Sequence, residues 1–325
     1  MIFKFKVDQE HIGQRLDKFL ADQFSKERPE ITRSKIKNLI ESGLVVKTSD
    51  GSSVSASSKT NLGEEYQITF EPLKENNLVA KDIPFEIIFE DDDLLVINKP
   101  AGLTVHPGAG NDSDTLVNAL LFSHGDQLSS VAGDFRAGIV HRLDKDTSGL
   151  MLVAKNDFTH LKLSRALEAR EIKRSYLAFI YGQLNPSRGK IDKNITRHKH
   201  NRLKMTVSKI LGRKAITHYK TKENYLGGLA SMIECKLETG RTHQIRVHLQ
   251  SIKHSLIGDQ TYSSARKDLS GKVSDQLKGL IDNFPRQALH SYKIEFIHPR
   301  SEELLTFESK LPADLEELEK CLKEK

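Results

Sequence analysis

Apolar positions along this chain form short runs and stripes, and their spacing switches between two periods. Residues 2–7 set Phe3, Phe5 and Val7 against Lys4 and Lys6, the alternation of a half-buried strand. From Arg15 the spacing becomes helical, with Leu16, Phe19 and Leu20 on one face. Thr32 is placed to cap a second helix, Arg33 to Ser42, striped by Ile36, Leu39 and Ile40, and Gly43 stops it in a left-handed position. Short strands are expected at 44–46 and 66–70, and the polar run 72–81 reads as a linker. Beyond it, strands are expected at 85–89 and 94–97, a helix at 115–123, and two buried strands at Ile139-Val140 and Leu150–Val153. A helix over 158–169, opened by Asn156 or Asp157, precedes strands at 176–181, 217–222, 230–238 and 294–296. The tail from Leu311 is an amphipathic helix carrying Leu315, Leu318 and Leu322. Together these elements predict an α+β fold: a mixed, largely antiparallel sheet with peripheral helices.

Between the strands expected at 139–140 and 150–153 lie Arg142, Asp144, Lys145, Asp146, Thr147 and Ser148. A carboxylate on a short turn between two core strands has little freedom, which suits a nucleophile or an acid–base group. The same residues also suit a polar turn in which Asp146 and Thr147 bond their own backbone. Metal readings fare worse. Asp91-Asp92-Asp93 reads as a hairpin turn, because three adjacent side chains cannot all face one ion. His243 and His248 stand five apart with no acidic ligand following. The glycines near 102, 108 and 110 spell neither a dinucleotide fingerprint nor a phosphate loop, so no cofactor is expected.

Composition sharpens this picture only modestly. The chain has 325 residues, room for two domains, and a formal net charge of +6, which favours a polyanionic partner. The excess is concentrated in 186–215, where Arg188, Lys190, Lys193, Arg197, Lys199, Arg202, Lys204, Lys209, Arg213 and Lys214 face Asp192 as the acidic residue. That stretch is either a solvated loop or an arm for a polyanion. Cys235 and Cys321 form no disulfide framework. No signal-like start and no membrane-spanning run is visible, so a soluble, cytoplasmic protein, taken as a monomer, is expected.

The wording of several segments adds a resemblance. His141-Arg142-Leu143-Asp144, followed by Thr147-Ser148-Gly149, resembles the signature of the RluA-type pseudouridine synthases. Lys99-Pro100-Ala101-Gly102, ending in Val105-His106-Pro107, resembles that family's entry segment, and Lys173-Arg174-Ser175-Tyr176 resembles its second motif. Thr239-Gly240-Arg241-Thr242-His243-Gln244-Ile245-Arg246 resembles the third, and Gly258-Asp259 with Tyr262 and Arg286-Gln287-Ala288-Leu289-His290 are also family-like. The resemblance spans roughly 85–310 and is nearest the RluD-type subgroup, which modifies large-subunit ribosomal RNA.

The resemblance implies Asp144 as the catalytic carboxylate, Tyr176 as a stacking and proton-transfer residue, and Arg246, read as a strand residue, as the forked partner of Asp144. Arg142 would enter the space left by a flipped uridine, and Arg241 would contact phosphate. Asp144 could attack C1′ or take a proton from C2′; both routes stay open. Residues 1–72 resemble an S4 RNA-binding domain, with Arg33, Lys35 and Lys37 either contacting phosphates or forming a solvated face. Its Ser-rich stretch 49–58 departs from that domain's short turn. The division implied is 1–72, a linker at 73–84, and a catalytic domain at 85–325. The implied partner is ribosomal RNA or a pre-ribosomal large subunit. The alternatives are a synthase for another ribosomal site or tRNA, a non-catalytic assembly factor, and a glycosidic-bond hydrolase.

Overall fold

The computed structural model describes residues 2–24, 31, 33–70, 78–108, 113–132, 136–201, 203–263 and 273–324. Its contacts divide the chain between residues 77 and 78. In the first unit, β1 (Ile2–Lys6), α1 (Leu16–Phe24), α2 (Arg33–Glu41), β2 (Val45–Lys47) and β3 (Glu65–Thr69) follow in order. The strands form an antiparallel sheet in the order β1-β3-β2. Leu16, Phe19 and Leu20 of α1 and Ile36 and Ile40 of α2 are buried with Tyr66 and Ile68 of β3. Gly43 takes the left-handed conformation after α2, at φ 75°. Thr32, expected to cap that helix, lies outside the described residues.

The Ser-rich stretch is longer than a tight turn because it wraps the start of α1. Ser58 and Ala56 carbonyls accept from Leu16 N (2.9 Å) and Asp17 N (3.2 Å), and Ser52 O accepts from Lys47 N (3.0 Å).

The second unit contains, in order, β4 (Glu86–Glu90), β5 (Leu94–Lys99), α3 (Leu116–His124), β6 (Ser148–Ala154), α4 (Asp157–Ala169) and β7 (Lys173–Tyr181). There follow β8 (Arg188–Asp192), β9 (Asn194–Arg197), β10 (Met205–Ser208), β11 (Ile216–Tyr225) and β12 (Ala230–Leu237). The chain closes with α5 (Gln244–Ser251), α6 (Asp275–Asp282), β13 (Leu289–Ile297), β14 (Leu304–Glu308) and α7 (Ala313–Lys323). One nine-stranded sheet runs β4-β5-β6-β13-β7-β12-β11-β8, with β14 also beside β13. Every pair in it is antiparallel except β6 with β13. Asn156 caps α4 by accepting from Thr159 N, and Leu315, Leu318 and Leu322 seat α7 in a cluster with Phe179 and Tyr181 of β7. The basic stretch resolves into β8, which joins the sheet, and an antiparallel β9–β10 ribbon.

Three expectations need correction. Residues 78–84, expected in the linker, pack on the second unit: Leu78 and Ile83 contact its core, and Lys81 N donates to Asn118 O at 3.0 Å. Arg246 lies on α5, not on a strand. Ile139-Val140 forms no strand, although it runs beside β6. Gly138 O accepts from Ala154 N and a single bridge joins Ile139 to Val153, but the His141 ring takes the Leu152 N–H at 3.0 Å. A side chain thus replaces the next rung of the ladder, and the segment can leave the sheet.

The parallel pair brings two backbones unusually close at Gly149. This residue sits at φ 117°, and a Cβ there would lie 2.3 Å from Ser291 O. Neither backbone can yield without breaking the β6–β13 contact. Gly149→Ala is therefore expected to cost about 3 kcal/mol or more. Urea unfolding measures this, and a variant with wild-type stability would contradict the packing described.

Candidate active site

One cavity of about 530 Å³ is lined by Val140–Asp144 and Thr147, the start of β7 with Arg174 and Tyr176, the turn 239–243, the first residues of α5, and residues at the end of α4. The turn is built around the buried side chain of Gln244. Its Oε1 accepts from Thr239 Oγ1 (2.7 Å) and Arg241 N (3.1 Å), while Nε2 donates to Ile216 O (2.9 Å). This fixes α5 against β11 and aims Arg246 at the loop carrying Asp144.

Arg246 is 6% exposed and divides its donors between two carboxylates. Nη1 donates to Asp144 Oδ2 at 3.0 Å. Nε and Nη2 donate to the two oxygens of Asp259, at 2.8 and 2.9 Å. The fork expected at Asp144 is therefore made to Asp259, and Asp144 receives one donor. Burial opposes the charge on Arg246, but the two carboxylates outweigh it and hold it firmly protonated. Burial likewise pushes Asp259 up, while Arg246 and the N–H groups of Thr261 and Tyr262 hold it below the usual carboxylate range. Asp144 is thereby anchored through one oxygen, and its Oδ1 lies 3.9 Å from His243 Nε2, too far for a hydrogen bond.

His243 takes a left-handed conformation, φ 55° and ψ 23°, at the head of α5. Tyr262 Oη accepts from Met205 N at 2.7 Å and lies 2.8 Å from His243 Nδ1. Tyr262 Oη can donate to Nδ1 or accept from it, so the direction of the phenol proton sets which ring nitrogen carries the imidazole proton. Burial, the first influence on this ring, keeps His243 below its ordinary pKa, so it is neutral at pH 7.

The loop beneath Asp144 is held from inside. Lys99 is fully buried, and its ammonium donates to the carbonyls of Pro100 (2.7 Å), Leu103 (2.8 Å) and Lys145 (2.9 Å). Burial pulls its pKa down to about 7, against the opposing pull of Asp146 and Asp144. Arg286 Nη1 donates to Asp146 O at 3.1 Å, and Gln287 Nε2 to Thr147 Oγ1 at 3.1 Å. Asp146 and Thr147 are thus gripped by distant residues as well as by their own turn.

Tyr176 is 4% exposed yet lines the cavity, and burial raises its pKa. Arg142 is exposed at the rim, where Nη1 donates to His106 Nε2 at 3.1 Å. Arg241 donates from Nε to Lys214 O, and Arg170 and Arg213 join it along the wall. Asp144, Tyr176, Arg246, Arg142 and Arg241 therefore share one cavity. Arg33 and Lys37 belong to the other unit, where Arg33 is paired with the buried Asp17 and Lys37 stands 3.6 Å from Glu41; the Lys35 side chain is outside the described residues. No catalytic or positioning role was assigned from sequence to Asp259, His243 or Lys99. The family-like Gly258-Asp259 and Lys99-Pro100 segments carried the signal, but a single sequence names no partner for them.

His248, one of the two histidines considered as ligands, is occupied structurally: its ring contacts Thr217 Oγ1 and Lys193 O at 2.9 and 3.0 Å. Asp93 of the acidic triplet is held by Arg300, Asn156 and Thr159. Among the described residues no helix is long and apolar enough to cross a membrane.

The chain is similar to known proteins over most of its length. The family model described as RNA pseudouridylate synthase matches residues 93–251. A protein of Xanthomonas campestris named ribosomal large subunit pseudouridine synthase D is 43% identical over 96% of this chain and 90% of its own length. A protein of that name from Haemophilus influenzae is 43% identical over 98% of this chain and 94% of its own length. The solved structure titled human RNA pseudouridylate synthase domain containing 1 superposes with a TM-score of 0.56 at 25% identity, covering 75% of this chain and 89% of that one. Identity sustained across both units, with the matched segment enclosing Asp144, Tyr176 and Arg246, places the chain in the RNA pseudouridylate synthase family.

Proposed function

We propose that this protein isomerises specific uridines of large-subunit ribosomal RNA to pseudouridine, with Asp144 as the reacting carboxylate. The observation that carries the reading is the Asp144–Arg246–Asp259 arrangement at the cavity, in which Asp144 Oδ1 has no hydrogen bond among the described residues. The names of the relatives support ribosomal RNA as the substrate. In the reaction the N1–C1′ bond breaks, the uracil turns, C5 bonds to C1′, the C5 proton leaves to water and N1 takes up a proton. Asp144 initiates either by attack on C1′ or by removing the C2′ proton. Arg246 anchors that carboxylate through Oδ2, and His243 Nε2 lies 3.9 Å from its Oδ1.

Cavity access requires the target uridine to leave its stack. Arg142, at the rim, is the side chain placed to fill the gap. Tyr176 forms the inner wall against which the uracil lies, and Arg241 with Arg213 and Arg170 faces the backbone. The first unit is proposed as an RNA-binding head. Arg33 then acts while also paired to Asp17, and its contribution is smaller than that of a free cation.

Mapping pseudouridines in ribosomal RNA from cells lacking the protein tests the assignment. Specific sites should lose the modification and regain it with the wild-type gene. An unchanged ribosomal map alongside lost tRNA sites would overturn the choice of substrate.

A further inference from the structure

Arg174 is a buried cation that the arrangement around Asp144 does not use. It is 7% exposed, and among the described residues its side chain has no hydrogen bond and no ion pair. Its Nε is shut away without a partner. Leaving a guanidinium desolvated and unpaired costs free energy that a folded chain normally avoids by pairing it or replacing it with an apolar residue. The opposite has happened here. Arg174 lines the same cavity as Asp144, and its Nη1 packs against Gly240, where a Cβ would approach to 2.9 Å. Arg241, Arg213 and Arg170 stand along the same wall with Glu168 and Glu238, so cations are in excess there, and Glu238 is drawn toward Arg170 at 2.9 Å and His218 at 2.6 Å.

Position narrows what the missing partner is. Arg174 and Tyr176 are two residues apart on β7 and face the same side of the sheet, about 7 Å apart along the strand. A uracil lying on Tyr176 carries its own ribose and phosphate outward by a comparable span. An anion that reaches Arg174 when the base occupies the cavity is therefore the phosphodiester attached to that nucleotide.

We propose that Arg174 is a phosphate seat: its guanidinium binds a non-bridging oxygen of the phosphodiester flanking the flipped uridine, with Arg241 on the outer side. The assignment rests on the RNA reading above. It also explains the stability cost, because substrate supplies the counter-charge that the protein withholds. Binding energy is then gained only when the nucleotide is fully inserted, which favours flipped over stacked RNA.

The test uses full-length protein and an RNA carrying the target uridine with a single neutral methylphosphonate at either flanking position. Wild-type protein should bind one of these RNAs about 10- to 100-fold more weakly than the unmodified RNA. Arg174→Met and Arg174→Gln should bind unmodified RNA with the same deficit and show no further penalty from the methylphosphonate. Without RNA, both variants should melt at the wild-type temperature or above it, because an uncompensated charge has been removed. Lower melting or failure to fold in both variants would mark Arg174 as a structural strut and overturn the proposal. So would an equal methylphosphonate penalty in wild type and variants, or none in wild type. Failure of the wild-type protein to modify the unmodified RNA would instead strike the functional reading itself.

Discussion

Asp144→Asn should yield a folded protein that binds RNA and makes no pseudouridine. The substitution keeps the shape of the side chain, and the amide oxygen can still accept from Arg246 Nη1, now at 3.0 Å from Asp144 Oδ2. What disappears is the charge that attacks C1′ or removes the C2′ proton, and an amide does neither. The single-turnover rate at saturating RNA should fall on the order of 10⁴-fold or more. Affinity should change little, since the phosphate contacts are proposed to come from the surrounding arginines. Because Asn can deamidate back to Asp, the variant must be shown homogeneous by mass. A homogeneous Asn variant retaining appreciable turnover would remove Asp144 from the chemistry.

Arg246→Lys should be nearly as damaging as Arg246→Ala. The native guanidinium makes three bonds in two directions, one to Asp144 and two to Asp259. A lysine ammonium is a single point charge on a flexible four-carbon stem and cannot reproduce that planar division. Asp259 is buried, so losing its two-pronged partner leaves a desolvated carboxylate whose remaining bonds are to Thr261 N and Tyr262 N. The expected cost is about 3 kcal/mol of stability, together with loss of the anchor on Asp144. The sign with pH follows. Asp259 is held below its unfolded pKa, so its contribution is present above the ordinary carboxylate range and is lost as pH falls through the folded value. The acid-side slope of stability should therefore be shallower in Arg246→Lys, measured by denaturant unfolding at a series of pH values. A Lys variant with near-native turnover would contradict the shared-fork account.

The local parts of this fold were legible in the amino-acid order. Alternation over 2–7, the stripe Leu315, Leu318, Leu322 and the Asn156 cap each depend on neighbours within one or two turns, and the observed elements follow them. Helix α5 was misread for a physical reason. Gln244 to Leu249 is buried on every side, so no polar face remains to mark a helical period, and Ile245, Val247 and Leu249 alternate like a strand. Ile139-Val140 misled in the opposite way: its apolar pair packs beside β6, while His141 takes the backbone donor that a neighbouring strand would have used. At the site, the three family-like segments carrying Asp144, Tyr176 and Arg246 converge on one cavity. Their partners were invisible because Arg246 to Asp144 spans 102 residues and Arg286 to Asp146 spans 140. The fork to Asp259 lies only 13 residues away, but it depends on the turn that brings Gly258 and Asp259 back beneath α5.

The central claim is that this cavity moves the uracil from N1 to C5 attachment without releasing it. It is tested most directly by incubating purified full-length protein with large-subunit ribosomal RNA tritiated at C5 of its uridines. The account predicts tritium released to water in a one-to-one ratio with pseudouridine recovered from the digested RNA, and no free uracil. Free uracil accompanied by abasic sites, or tritium fully retained on intact uridine under conditions where the protein binds that RNA, would contradict it.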